Sequence, residues 1–295
     1  MRNVTVAQLG DHICGWGEGL CWDEGAAKLN FVDCMRNQIG VMSLEKPADV
    51  RFVATGSMPT KVLLTNDDDR RLVLLEDGFY VVADAVCGEV PRIAMPEASV
   101  GRFNDATCDK QGRIITGNLG LVPNTDGAFW IWGGTGSAGH WRELAGSKGN
   151  ANGPCFSADG RTLYFADTPT GNILYYSYDL ETGQATEERV FANTVVLGGV
   201  PDGAAIDQDG CLWVAVYGGG CVARYMPDGQ LLETIELPVR NPTDVAFAGA
   251  SLDRVVVSSA IEPADDAGRV SDLAGALFEI KGANVKGLQV GKVRI

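Results

Sequence analysis

The fold of this chain is decided by the stretch Val200-Pro201-Asp202-Gly203-Ala204-Ala205-Ile206-Asp207-Gln208-Asp209-Gly210-Cys211-Leu212-Trp213-Val214-Ala215-Val216. It holds an acidic residue in a Pro-Asp-Gly corner at Asp202, then a short strand over 204–207, a tight turn over 208–210 and a second strand over 211–216. Alternating apolar residues around an Asp-Gly turn are the strongest short-range signal of a β-hairpin. We therefore interpret Asp209-Gly210, and the equivalent Asp159-Gly160, as structural hairpin turns.

The same order of polar corner, strand, turn and strand recurs six times in the 295 residues. The corners lie near residues 18, 60, 104, 152, 202 and 243, with gaps of about 42, 44, 48, 50 and 41 residues. A period of about 40–50 residues with three or four strands per unit is typical of a β-propeller. The segments alternate in polarity and lack a helical period, which argues against a helical solenoid. The sequence predicts an all-β, six-bladed β-propeller in one domain over residues 1–295, closed by strand Val4–Leu9 in the last blade.

The composition limits the partners that this protein can have. The formal charge of −14 at pH 7 argues against nucleic acid and against anionic membranes, because both need clustered Lys and Arg. The eight cysteines are scattered without a Cys-x-x-Cys pair, and the start lacks the long apolar core of a signal peptide. We expect reduced thiols in a cytoplasmic protein that is a monomer or small homo-oligomer, with no nucleic acid and no membrane as partner.

Polar residues recur at the entrance to the innermost strand of several predicted blades. Residues at this position converge on the mouth of the central channel, although they are far apart in sequence; they are Glu18, Asn104, Asn152 and Asp202, with Thr60 and Thr243 nearby. Two carboxylates and two amides in a channel would be unsatisfied without a positive charge. A divalent cation with oxygen ligands satisfies them. Ordinary turn chemistry explains any one of these residues alone, since Glu-Gly, Asn-Gly and Asp-Gly are common turn dipeptides, but it explains their shared register less well.

Four motifs, in this order, resemble the SMP-30/gluconolactonase/regucalcin family: Gly17-Glu18-Gly19 with Trp22-Asp23, Arg102-Phe103-Asn104-Asp105 with Gly112-Arg113, Asn152-Gly153, and Pro201-Asp202-Gly203 with Leu212-Trp213-Val214-Ala215. The resemblance implies a six-bladed propeller with one divalent metal in its channel, and hydrolysis of a sugar lactone to the aldonic acid. It implies that Glu18, Asn152 and Asp202 are the metal ligands and that Asp202 is also the general base. It implies that Arg102 and Asn104 contact the substrate, with Asn104 as an alternative fourth ligand.

The chain departs from the family pattern after the third innermost strand. Some family members have Gly-Thr-Met there, followed closely by a carboxylate that contacts sugar hydroxyls. This chain has Gly117-Asn118-Leu119 instead, and no acid before Asp126. We expect Asn118 to supply part of the missing polarity as a substrate contact.

We predict a metal-dependent lactonase for a small-molecule lactone, a sugar 1,4- or 1,5-lactone, in which the metal polarises the carbonyl and Asp202 is the general base. The metal stays open among Ca, Mg, Mn, Zn and Fe(II). One alternative is a hydrolase of non-sugar lactones or organophosphates, which the pair Leu121-Val122 would favour if it lines the pocket. Another is a non-catalytic propeller that binds a metal or a partner protein. A Ser-His-Asp hydrolase is disfavoured, because the chain has two histidines and no Gly-x-Ser-x-Gly motif.

Overall fold

Apolar residues at alternate positions make each repeat a small antiparallel sheet, as the sequence predicts. The structure is a computed structural model that describes residues 4–99, 101–120, 127–133, 139–261 and 271–295. In chain order, the strands are β1 (Thr5–Ile13), β2 (Gly17–Asp23), β3 (Lys28–Asp33), β4 (Gln38–Ser43), β5 (Lys46–Ala54), β6 (Lys61–Leu64), β7 (Arg70–Leu75), β8 (Gly78–Ala83), β9 (Val86–Cys87), β10 (Ile93–Ala94), β11 (Arg102–Cys108), β12 (Ile114–Leu119), β13 (Gly127–Gly133), β14 (His140–Lys148), β15 (Ala151–Phe156), β16 (Thr162–Asp167), β17 (Asn172–Tyr178), β18 (Ala185–Asn193), β19 (Val200–Ile206), β20 (Leu212–Tyr217), β21 (Cys221–Tyr225), β22 (Leu231–Glu236), β23 (Pro242–Ala248), β24 (Arg254–Ser259) and β25 (Ala276–Lys281). Short 3₁₀ turns cover Cys34–Arg36, Thr168–Thr170 and Val195–Leu197.

The strands form the six blades of a β-propeller, which confirms the predicted fold. The blades are β2–β5, β6–β10, β11–β14, β15–β18 and β19–β22, and the sixth combines β23–β25 with β1. Strand β1 pairs antiparallel with β25 from Thr5 opposite Lys281 to Gln8 opposite Phe278. The predicted closing strand is therefore confirmed, and joining both ends of the chain in one sheet removes two open edges.

The innermost strands surround the channel, because β2, β6, β11, β15, β19 and β23 each contact the next one and β23 contacts β2. Five of these six strands carry a shift of pairing register at the polar corner, between Glu18 and Cys21, Phe103 and Asp105, Asn152 and Cys155, Pro201 and Ala204, and Pro242 and Val245. Such bulges re-aim a side chain and increase the local twist. They explain how polar residues at the start of a strand turn into the channel.

Aromatic side chains pack between neighbouring blades and hold the ring together. Phe129 and Phe165 stack between the third and fourth blades, with ring centroids 3.7 Å apart. Trp213 and Phe247 meet edge to face between the fifth and sixth blades, at 5.8 Å. Each buried aromatic ring removes about 150–250 Å² from water. The core therefore lies between the blades, and the polar corners remain at one mouth of the channel.

A buried ion pair between Asp207 and Arg224 of β21 holds the hairpin turn that follows β19. Gly210 has φ +80°, as the predicted Asp-Gly turn requires. One Asp207 oxygen accepts the backbone N–H groups of Asp209 and Cys211, both at 2.9 Å. The other accepts Trp213 Nε1 at 2.9 Å and the Arg224 guanidinium at 2.6 Å. This network fixes the C-terminal end of β19. Asp202 lies near the opposite end of the same strand.

The C-terminal segment 284–295, here called the strap, crosses the channel end opposite the polar corners. The N–H of Gln208 donates to Lys286 O at 2.7 Å in the fifth blade, and the N–H of Val293 donates to Leu64 O at 2.8 Å in the second. The strap and the six innermost strands line a cavity of about 470 Å³. No repeat or motif in the sequence predicts this crossing. No helix in the described ranges is long and apolar enough to cross a lipid bilayer.

Candidate metal centre and active site

The carboxylates of Glu18 and Asp202 share one region of the channel, although they lie on the first and fifth blades. Desolvation in the channel raises the pKa of Glu18 well above its usual range, and the nearby Asp202 charge is the next largest cause. Burial also raises the pKa of Asp202, a residue that is only 6% exposed. In the part of the chain that the structure describes, no Lys, Arg or His nitrogen lies within 4.0 Å of either carboxylate. The pair therefore needs a positive partner.

The predicted amide residues lie together on the third and fourth blades. The Asn104 amide nitrogen donates to Asn152 Oδ1 and, at 3.2 Å, to Ala151 O. The Asn152 nitrogen donates to Thr168 Oγ1 at 2.9 Å, and that hydroxyl donates to Pro201 O at 2.8 Å, directly before Asp202. A carbonyl oxygen has two lone pairs, so Asn152 Oδ1 can accept from Asn104 and still bind a cation.

Arg102 lies at the start of β11 and fixes the orientation of Asn104. Its guanidinium donates to Asn104 Oδ1 at 3.1 Å and to Phe103 O at 3.0 Å. Because Arg102 holds the Asn104 oxygen, the Asn104 nitrogen is turned toward Asn152. The structure thus brings both predicted substrate-contacting residues of this strand next to Asn152, one of the predicted metal ligands.

Asn118 is set apart from the other predicted site residues by its internal hydrogen bonds. It is 1% exposed, and its Oδ1 accepts the N–H of Ala128 at 2.8 Å and Trp130 Nε1 at 3.0 Å. The oxygen therefore joins β12 to β13, and a contact between Asn118 and a substrate stays a prediction. Asp126 and the pair Leu121-Val122 lie outside the described residues.

A second set of charged side chains, here called the Lys61 triad, consists of Lys61, Asp105 and Asp244. Each follows a polar corner directly, at the position that glycine holds in the other three blades. Lys61 Nζ lies 3.2 Å from Asp105 Oδ1 and 3.1 Å from Asp244 Oδ2. The triad is not among the site residues predicted from the sequence. The signal was present, because a lysine and two aspartates occupy the same register in three blades.

The Lys61 triad leaves the channel strongly acidic. Burial alone lowers the pKa of Lys61, but the charges of Asp105 and Asp244 raise it by more, so the ammonium stays protonated. Burial raises the pKa of Asp244 to about 6, and Lys61 opposes that rise. Four carboxylates, those of the triad together with Glu18 and Asp202, face one ammonium. This imbalance favours an additional cation.

The residues at the polar corners fit an oxygen-ligated divalent cation. Glu18, Asn152 and Asp202 supply two carboxylates and an amide oxygen, the ligand types that hard cations prefer. Thr60 holds the corner of the second blade; it is 6% exposed, and its hydroxyl has no hydrogen-bond partner among the described residues. A Cβ on Gly153 would lie 2.5 Å from Asp202 O, so a side chain there would displace a proposed ligand.

A second group of ligand-type atoms lies in His12, Cys14 and Asp33, within 4.8 Å of one another. The Arg36 guanidinium already donates to Asp33 at 2.5 Å, and the N–H of Gly15 donates to the other Asp33 oxygen at 3.1 Å. Burial raises the pKa of the Cys14 thiol and so disfavours the thiolate that a metal requires. This group fits a metal less well than the polar corners do.

Comparison with known proteins identifies the family. The profile described as SMP-30/Gluconolactonase/LRE-like region matches residues 16–261. The chain belongs to this family. The resemblance expected from the four motifs is thereby confirmed, and this family of propellers includes proteins named as lactonases.

Two relatives and one solved structure show how far the similarity extends. The pentonolactonase XacC of Haloferax volcanii is 30% identical over 282 residues, 94% of each chain. Regucalcin of Xenopus laevis is 31% identical over 305 residues, 98% of each chain. The crystal structure of a calcium-binding protein, regucalcin, from Agrobacterium tumefaciens has a TM-score of 0.86 and 25% identity, and covers 98% of this chain and 97% of that one. The similarity therefore includes every blade.

Proposed function

We propose that this member of the family is a metal-dependent lactonase that opens a sugar 1,4- or 1,5-lactone to its aldonic acid. The observation that carries the proposal is the pair of carboxylates in the channel, half-buried Glu18 and buried Asp202, which have no Lys, Arg or His nitrogen within 4.0 Å among the described residues. The name of the Haloferax relative, a pentonolactonase, supports the substrate class. The similarity to the Agrobacterium protein, which is called a calcium-binding protein, supports a divalent cation.

The proposed cation ligands are Glu18, Asn152 and Asp202. When bound, a divalent cation supplies a Lewis acid for the lactone carbonyl. The two carboxylates balance its charge, and the amide oxygen adds a neutral ligand without further repulsion. Oxygen donors suit Ca, Mg and Mn, and such a site also accepts Zn or Fe(II).

Asp202 is the proposed general base. The oxygen of an attacking water bonds to the carbonyl carbon while Asp202 accepts the water proton. When the bond between the carbonyl carbon and the ring oxygen breaks, the proton passes from Asp202 to that ring oxygen, and the product is a hydroxy acid. Burial raises the pKa of Asp202 and so makes its carboxylate a stronger base than an exposed aspartate.

Arg102 and Asn104 are the proposed substrate-positioning residues. The guanidinium of Arg102 is half-buried beside the amide pair, so its remaining N–H donors can hold a ring hydroxyl or the carbonyl oxygen. Holding the lactone close to the attacking water lowers the entropic part of the barrier. The hydrogen bond from Asn104 to Asn152 links the substrate-positioning pair to a proposed metal ligand.

A second candidate substrate is a lactone with an apolar substituent. Trp16 and Tyr217 stack at the mouth that carries the polar corners, with centroids 5.6 Å apart and planes 13° apart. On the same side, the Val196 side chain is 84% exposed and that of Met35 is 61% exposed. An apolar rim of this kind suits an alkyl or aromatic group next to the lactone ring.

The proposal is tested with protein stripped by a chelator and reloaded with one cation at a time. We expect hydrolysis of a sugar lactone, followed by acid release, to fall about 100-fold or more on stripping and to return on reloading, because a Lewis acid contributes several kcal/mol to such reactions. An unsubstituted and an aromatic lactone, measured in parallel, separate the two substrate classes.

Two results of that experiment would contradict the proposal. Full activity in protein shown by elemental analysis to be metal-free would remove the metal from the reaction. A protein that binds the cation tightly but hydrolyses no lactone of either class would favour a non-catalytic binding propeller.

A further inference from the structure

The Lys61 triad places a built-in positive charge in the middle of the channel. The side chains of Lys61, Asp105 and Asp244 are 14%, 8% and 2% exposed, so all three are largely removed from water. The ammonium lies at nearly equal distance from the two carboxylates, 3.2 and 3.1 Å, and thus links three different blades. Without it, two buried anions would face each other with no cation between them.

Backbone hydrogen bonds hold both carboxylates in place. Asp105 Oδ2 accepts the N–H of Gly153 at 2.9 Å, and Asp244 Oδ2 accepts the N–H of Leu20 at 2.9 Å. The remaining oxygens accept the N–H of Ala106 at 2.7 Å and of Val245 at 2.8 Å. The carboxylates are therefore fixed by the main chain, and removal of the ammonium would leave an oxygen-lined position of the kind that cations bind.

We propose that Lys61 is an internal counter-ion that occupies a second cation position, between Asp105 and Asp244, so that the channel takes one divalent cation rather than two. Lys61 is also a positioning residue, because the carboxylates that it bridges hold the backbone next to two proposed ligands. Gly153 follows Asn152 directly, and Leu20 lies two residues after Glu18. The inference rests on the proposed function only for the first cation, the one at the polar corners.

The experiment counts cations bound to Lys61→Met, which keeps the length of the side chain and removes its charge. Mn²⁺ is the probe, and titration calorimetry with elemental analysis gives the number bound per chain. We expect one equivalent in the unmodified protein and two in Lys61→Met. The double variant Lys61→Met/Asp244→Asn, which removes one charge of each sign, should return to one. Lys292→Met, at an exposed lysine paired with Asp68, should not change the number.

The proposal is overturned if folded Lys61→Met binds the same number of Mn²⁺ ions as the unmodified protein. If Lys61→Met does not fold in chelator, circular dichroism decides: recovery of the sheet signal on addition of Mn²⁺ supports the proposal, and no recovery overturns it. The difference in bound Mn²⁺ between Lys61→Met and the unmodified protein tests the role of Lys61. The number of Mn²⁺ ions bound to the unmodified protein tests the proposed metal site. An unmodified protein that binds no Mn²⁺ would therefore contradict the proposed function alone.

Discussion

Asp202→Asn is expected to lower kcat/KM for lactone hydrolysis by about 10³-fold or more, since loss of a general base alone costs about 10²–10⁴-fold. The substitution also removes one of two carboxylates proposed to bind the cation. Asparagine has nearly the same shape, and the pKa of Asp202 is raised in the channel, so the carboxylate form is itself unfavourable there. We therefore expect metal-free Asp202→Asn to melt at the same temperature as the unmodified protein or higher.

The matched control is Asp228→Asn, which makes the same change in the same blade at an exposed turn residue whose Oδ1 accepts the N–H of Gln230. It should keep full activity. The measurement is initial rate of acid release at several lactone concentrations, with circular dichroism to confirm the fold. Activity of folded Asp202→Asn above about a tenth of the control would contradict its role as base, since base catalysis contributes at least about 10²-fold.

Asp207→Ala is expected to lower the free energy of unfolding by about 3–5 kcal/mol, the usual cost of removing one partner from a buried ion pair. Arg224 is 2% exposed and Asp207 is fully buried, so the guanidinium would lose its closest anion. The backbone N–H of Cys211 and the indole N–H of Trp213, which both donate to Asp207, would also be left unpaired. Urea denaturation followed by tryptophan fluorescence measures the change.

Asp209→Ala is the control for this stability effect. Asp209 also lies near Arg224, at 3.2 Å, but its side chain is 73% exposed, so its loss should cost less than about 1 kcal/mol. Equal destabilisation by the two substitutions would contradict the account of the buried network. Folded Asp207→Ala should retain kcat/KM, because Asp207 lies past the opposite end of β19 from Asp202.

The ring of blades could be predicted because its signals are local and repeated. The polar corners recur at a near-constant spacing, and each hairpin carries its own turn, as at Gly210. The closing strand followed from the need to cover an edge of the sixth sheet. The strap could not be predicted in this way, since it has no alternation and is held by scattered backbone hydrogen bonds to strand ends far away in the sequence.

The residues at the polar corners could be predicted from the sequence, whereas the Lys61 triad behind them could not. Glu18, Asn152 and Asp202 stand at equivalent positions, so the repeat itself brings them to one mouth. Asp105 would point away from the axis in a regular strand, and the bulge between Phe103 and Asp105 that changes this is invisible in the sequence. For Asn118 the structure adds that its oxygen joins two strands, and the substrate contact expected from its polarity stays a prediction.

Three side chains from three blades are proposed to hold one cation at the mouth of the channel. A crystal grown with Mn²⁺ and measured for anomalous scattering tests this arrangement. We expect one strong anomalous peak bonded to oxygens of Glu18, Asn152 and Asp202. An ordered Mn²⁺ bound instead at His12, Cys14 and Asp33, or no peak at the polar corners, would contradict it.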